Sequence, residues 1–145
     1  CRTDYFLNVV NSYSSSFLET FGSALVTVSP ELSINQLKAL LKINNNIEVI
    51  IYGTLELMVM NHCLISMNDG CPLCKKNKYY LKNKHNELFP ILTKNCKTHI
   101  MHHEKLNWIS HLNELKKCGL CNVRIELFDE NENEVLDIIK RIKTI

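Results

Sequence analysis

Ser33-Ile34-Asn35-Gln36-Leu37-Lys38-Ala39-Leu40-Leu41-Lys42, then Asn44-Asn45-Asn46, then Ile47-Glu48-Val49-Ile50-Ile51-Tyr52: this stretch decides the fold class. Ser33 and Gln36 have the spacing of a capping box, and Ile34, Leu37 and Leu41 form an inward stripe, which predicts a helix over Ser33 to Lys42. The three asparagines end it. Ile47 to Tyr52 is apolar throughout except for Glu48, the pattern of a strand buried on both faces. A capped helix delivering the chain into such a strand is one step of an alternating β/α chain, and that alternation predicts a parallel sheet covered by helices.

The same rhythm extends upstream. Phe6 to Val10 reads as a short buried strand. Ser14 to Phe21 reads as a helix with Phe17, Leu18 and Phe21 on one face, a capping box at Ser16 and Glu19, and Gly22 as the stop. Ser23 to Val28 is a second buried strand, and Ser29-Pro30-Glu31-Leu32 is a loop. Downstream the rhythm breaks at Gly53. Tyr79 to Lys82 and Leu88 to Leu92 read as a hairpin across Asn83 to Glu87. The alternation then returns, with a helix from about Glu104 to Lys117 lined by Leu106, Ile109, Leu112 and Leu115. Gly119 caps it, Val123 to Leu127 forms a strand, and Val135, Ile138, Ile139 and Ile142 line a last helix.

The expectation is one α/β domain over residues 1–145, with a cysteine-rich insertion over 53–98. Four β/α units are half of a (β/α)8 barrel, so a partial TIM-like barrel is predicted. A half barrel leaves strand edges open. The chain starts on Cys1 and reads almost at once as an interior strand, so the remainder of the barrel is expected elsewhere in a longer chain. A small doubly wound sheet is the alternative.

The 17 basic and 15 acidic side chains give a net charge of +2, too small to argue for a nucleic-acid or membrane partner. No apolar run is long enough to span a bilayer. The N-terminus lacks the basic-then-apolar pattern of a signal peptide, and seven cysteines are an odd number. Reduced thiols and a cytoplasmic location follow as expectations.

Cys63, Cys71, Cys74 and Cys96 are spaced C-x7-C-x2-C-x21-C. A close group of thiols with a remote fourth suits a [4Fe–4S] cluster. Cys71-Pro72-Leu73-Cys74 with Cys118-Gly119-Leu120-Cys121 would instead make a four-cysteine zinc site. From spacing alone these two readings stand level, and free thiols come third. His99, His102, His103 and Glu104 have ligand-type side chains but read as a solvated loop before a helix. Lys75, Lys76, Lys78, Lys82 and Lys84 interleave with Tyr79 and Tyr80; that is either a solvated hairpin edge or a surface that contacts RNA phosphates and stacks bases. Glu31 follows the carboxyl end of a strand, the functional side of a barrel. Asn11 also sits at a strand end. Arg124 and Glu126 on one strand read as a buried ion pair. There is no nucleophile elbow, P-loop, dinucleotide glycine motif or H-E-x-x-H.

Glu48-Val49-Ile50-Ile51-Tyr52-Gly53-Thr54-Leu55-Glu56, continuing through Asn61, Cys63, Ile65 and Ser66, resembles the signature of the collagenase-like peptidases (the U-thirty-two family). Glu48, Gly53, Leu55, Cys63, Ile65 and Ser66 match it in register. Ile50 stands for Phe, Thr54 for a smaller residue, Glu56 for the first Cys, and Asn61 for Gly. Ser29 to Leu32, Tyr79 to Lys84, Phe89-Pro90, the surroundings of Cys96 and Gly119 to Glu126 are similar to further family segments. The resemblance implies a TIM-like barrel of which this is the C-terminal half. It implies a [4Fe–4S] cluster on Cys63, Cys71, Cys74 and Cys96, and it lowers the zinc reading. By family name the activity is that of a peptidase. Other members support oxygen-independent hydroxylation of RNA bases or of a quinone precursor, so the implied substrate is protein or RNA. Glu31 and Arg124 are the residues expected to face it.

Overall fold

Strand β2 (Ile47–Gly53) is buried at every position except Tyr52, which is partly exposed. Its run, apolar apart from Glu48, leaves no solvent-facing side, so it must lie inside a sheet with cover on both faces. The computed structural model describes residues 1–68 and 77–145. The chain divides into two compact units, Cys1–Gly53 with Asn107–Ile145, and Thr54–Leu106.

In the first unit β2 pairs in parallel with β1 (Val26–Thr27) through Val26↔Ile47 and Thr27↔Glu48. It also pairs in parallel with β8 (Asn122–Glu126), from Glu48↔Asn122 to Gly53↔Glu126 with one irregularity. The short strand β7 (Leu106–Asn107) completes this four-stranded sheet. Ile47, Val49 and Ile51 pack in one core with Leu37, Leu40 and Leu41 of helix α2 (Ile34–Leu41) and with Leu112 and Leu115 of helix α4 (Leu112–Lys117). Ile142 of helix α5 (Glu132–Thr144) packs against the same core. The Ser33–Gln36 capping box forms as the sequence predicts, and α5 has a second one, Asn131 with Glu134.

Two sequence expectations are corrected near the N-terminus. Phe6 to Val10 is not a strand. Asp4 caps a 3-10 turn at Tyr5–Leu7 by accepting from the Tyr5 N–H, and only Val9 of that run is buried. The strand-like pairing lies earlier, with an Arg2↔Leu25 bridge and the Ala24 N–H donating to the Cys1 carbonyl at 2.8 Å. Helix α1 spans Ser12–Thr20, and its cap is Asn11, which accepts from the Ser14 N–H; Ser16 lies inside the helix. Its buried contacts are Ser15 and Leu18, whereas Phe17 and Phe21 are 61% and 74% exposed. The expected helix from Glu104 is also shorter. Leu106–Asn107 is strand, Ile109–His111 a 3-10 turn, and α4 begins only at Leu112.

The arrangement around β2 places Glu48 inside the unit, 1% exposed. One carboxylate oxygen lies 2.8 Å from the Thr27 hydroxyl and the other 3.1 Å from Arg2. A buried charge persists when it is paired and hydrogen-bonded, and both conditions hold here.

The second unit is an antiparallel sheet in the order β3 (Glu56–Met60), β6 (Lys97–Met101), β5 (Leu88–Lys94), β4 (Tyr79–Lys82), with the short helix α3 (Leu64–Asn68). The β4–β5 hairpin occupies the predicted residues; β3 and β6 are absent from the sequence reading. The protein is thus mixed α/β, and neither sheet closes into a barrel among the described residues. No helix among them is long and apolar enough to cross a membrane.

Gly53 ends β2 with φ +138°, and a Cβ there would lie 2.0 Å from the Glu126 carbonyl oxygen. Gly22 also has a positive φ, +85°, but opens into free space. Gly22→Ala should therefore cost about 1 kcal/mol, the backbone penalty alone. Gly53→Ala must also push β2 and β8 apart and should cost at least about 3 kcal/mol. Urea unfolding of the two variants checks this ordering.

Candidate functional site

The antiparallel register Met60↔Thr98, Thr93↔Thr98 and Lys94↔Lys97 fixes one end of the second sheet. The chain leaving β3 at Met60 runs into Asn61-His62-Cys63 at that end. The turn Asn95-Cys96 joins β5 to β6 at the same end. Thr98 fastens the two together: its hydroxyl donates to the His62 carbonyl at 2.6 Å and accepts from the Leu64 N–H at 3.0 Å. Thr98 is fully buried, so this link is held in the unit's interior. Of the four cysteines expected to bind a cofactor, Cys63 and Cys96 are brought to a common end. Cys71 and Cys74 lie outside the described residues.

Cys63 is half-buried and immediately precedes α3. The Ser66 backbone N–H holds its thiol below the ordinary range, against a smaller opposing effect of desolvation; the Ser66 hydroxyl adds to the lowering. A thiolate facing oriented N–H groups is favoured for this reason. Cys96 is exposed and has φ +58°, with Asn95 before it at +53°. Two consecutive positive-φ residues make a two-residue hairpin turn in which the second position ordinarily belongs to glycine. A thiol is kept where a side chain costs backbone strain. Among the described residues no group of three His, Cys, Asp or Glu side chains is close enough to hold a metal. Cys118 packs half-buried against the first unit's core, and Cys121 is exposed with its thiol 3.5 Å from the Gly119 carbonyl.

His99 and Glu56 form a site that the sequence reading missed. His99 is on β6, not in a loop, and its Nδ1 lies 2.5 Å from Glu56 Oε2 on β3. Their side chains are only 19% and 15% exposed. No hydrogen bond among the described residues occupies His99 Nε2. A histidine oriented through Nδ1 by a carboxylate, with Nε2 open, is arranged for proton transfer. The available signal was Glu56 itself, which stands where the resembling signature has cysteine.

Arg124 and Glu31 differ in their setting. Arg124 is partly buried on β8, where its Nε meets Glu126 and its Nη1 lies 3.3 Å from Asp4. Its guanidinium sits 5.8 Å above the Tyr5 ring centre. The expected Arg124–Glu126 pair is present, with a third partner from the N-terminal turn. Glu31 is exposed just after β1, its backbone N–H 3.4 Å from the Ser29 hydroxyl. The histidines after β6 are not simply solvated: the rings of His102 and His103 stack at 4.7 Å, and His103 lies 3.6 Å from Glu87.

The sequence matches Peptidase family U32 over residues 4–144, nearly the whole chain. No curated protein and no solved structure matches it.

The hydrogen bond to Cys63 gives a directional expectation. A lowered thiol pKa keeps the thiolate populated at lower pH, so Cys63 should alkylate faster than Cys96 near neutrality. Ser66→Pro removes the dominant N–H donor and should shift the Cys63 alkylation midpoint to higher pH. Mass-resolved iodoacetamide labelling across pH measures both effects.

Proposed function

We propose, from the premise that the chain belongs to Peptidase family U32, an iron–sulfur enzyme that acts on protein or RNA. Cys63, Cys71, Cys74 and Cys96 would hold a [4Fe–4S] cluster. The observation that carries this reading is the Thr98 link, which ties the segment after β3 to the strand that follows Cys96. The described donors suit the group: Cys63 is disposed to ionise, and Cys96 is kept at a turn position that favours glycine. When bound, such a cluster supplies one-electron chemistry or holds its cysteine segments in one conformation. Glu31 and Arg124 would face substrate, because ligands of open parallel sheets gather beyond the carboxyl ends of the strands.

Hydrolysis, the activity in the family's name, is the second reading, and His99–Glu56 favours it. His99 Nε2 would take the proton of an attacking water while Glu56 stabilises the imidazolium. Oxygen-independent hydroxylation is the form that the first reading would take on RNA.

In the longer chain the remainder of a TIM-like barrel would cover α1. Tyr13, Phe17 and Phe21 follow one another at helical i, i+4 spacing and are all exposed, with Phe17 and Phe21 in edge contact at 4.9 Å. A cytoplasmic location goes with reduced thiols.

Anaerobic purification of the full-length protein should give a brown product with about four irons per chain. A colourless protein holding one zinc would exclude the cluster. Cys96→Gly separates ligand from structure: it should remove the iron yet relieve the turn by about 1 kcal/mol in the metal-free protein. Phe17→Ser should destabilise the full-length protein by at least about 2 kcal/mol if α1 is covered there.

A further inference from the structure

The two faces of the antiparallel sheet differ at β6, although Met58 and Leu81, on the side of Ile100, are themselves 53% and 44% exposed. Thr98 and Ile100 of β6 point to one face and are buried. The register places Val59, His99 and Leu92 side by side on the other face. By strand alternation Leu88, Lys94, Lys97, Tyr80 and Lys82 share it. An antiparallel sheet with a free face normally turns polar side chains to water. Here Val59, Leu88, Leu92 and Tyr80, between 44% and 51% exposed, stand around the partly buried His99.

The charges on this face are one-sided. Its one carboxylate, Glu56, is taken up by His99. Lys82, Lys94 and Lys97 are exposed and have no ion pair among the described residues. Lys94 and Lys97 are directly opposite each other, an arrangement that costs stability unless an anion sits between them. Residues 54–106 hold eight lysines against four acidic residues, net +4, whereas the rest of the chain holds nine basic against eleven acidic, net −2.

We propose that this face docks an acidic, amphipathic polypeptide segment of a partner protein. Aliphatic side chains on a sheet are covered best by the apolar stripe of a helix, and the lysine rim selects carboxylates beside that stripe. Single-stranded nucleic acid fits less well, because base stacking needs open aromatic rings, and among the described residues the face offers Tyr80 and a His99 ring already held by Glu56. The inference is independent of the cluster.

The test titrates the full-length protein into a labelled helical peptide of about 18 residues, with leucines at i, i+3, i+4 and i+7 and glutamates between. A leucine-to-serine version and an oligouridylate serve as comparisons. The Leu/Glu peptide should bind saturably, and the serine version should not. Leu92→Ser, and separately Lys94→Glu with Lys97→Glu, should each weaken binding by about tenfold or more, with circular dichroism unchanged. Absence of binding, binding untouched by these changes, or tighter binding of oligouridylate overturns the proposal. So does hydrogen exchange showing the face already protected in the full-length protein alone.

Discussion

Every strand of the parallel unit hydrogen-bonds to β2. The constraint on β2 is that it has no solvent side: Ile47, Val49 and Ile51 enter the helix-covered core, while Glu48 and Ile50 are buried too. A carboxylate in such a strand must find partners, and Arg2 and Thr27 supply them. The pairing of Arg2 beside Leu25 thus accompanies burial of Glu48, and the N-terminal turn follows from it. At the other end of β2, Gly53 lets β8 approach closer than any side chain would permit. One strand therefore fixes the pairing, one buried charge and a close backbone approach in the unit.

The antiparallel unit works differently. Its strands are short and half-exposed, so its order comes from turns and from single polar links. Thr98 is one, satisfying both a donor and an acceptor of the segment around Cys63. The Asn95-Cys96 turn is the opposite kind of feature, a strained position that local preference would give to glycine. Natural sequences are locally consistent except where something else is selected, and a thiol in a glycine position is such an exception. The His99–Glu56 pair, set beside Val59 and Leu92, is another.

Both units also present apolar surface that ordinary amphipathicity would have hidden. On α1 the sequence puts aromatic residues at helical spacing, which predicts burial, yet Ser15 and Leu18 take the inward positions. The reason is the start of the helix: Asn11 caps it, not Ser16, and the rotation that follows turns Phe17 and Phe21 outward. The free face of the second sheet shows the same excess. Apolar side chains thus stand in water at two separate places, Phe17 and Phe21 on α1 and Val59, Leu88 and Leu92 on the second sheet.

The sequence alone determined the α/β class, the α2 capping box, β2, β8, α5 and the β4–β5 hairpin. In each of these, periodicity, capping and turn chemistry act over a few neighbouring residues and agree. It also singled out Cys63 and Cys96 by spacing, and Arg124 with Glu126 by their place on one strand. Tertiary structure alone decided that β3 and β6 are strands. Glu56 to Met60 has no clean alternation, and Lys97 to Met101 reads as a loop until β5 pairs with it. It likewise decided that Glu56 meets His99 across 43 positions of chain, and that Lys94 and Lys97 share a face with Val59 and Leu92. Those outcomes depend on strand register, which is set by long-range pairing and leaves little trace in local sequence.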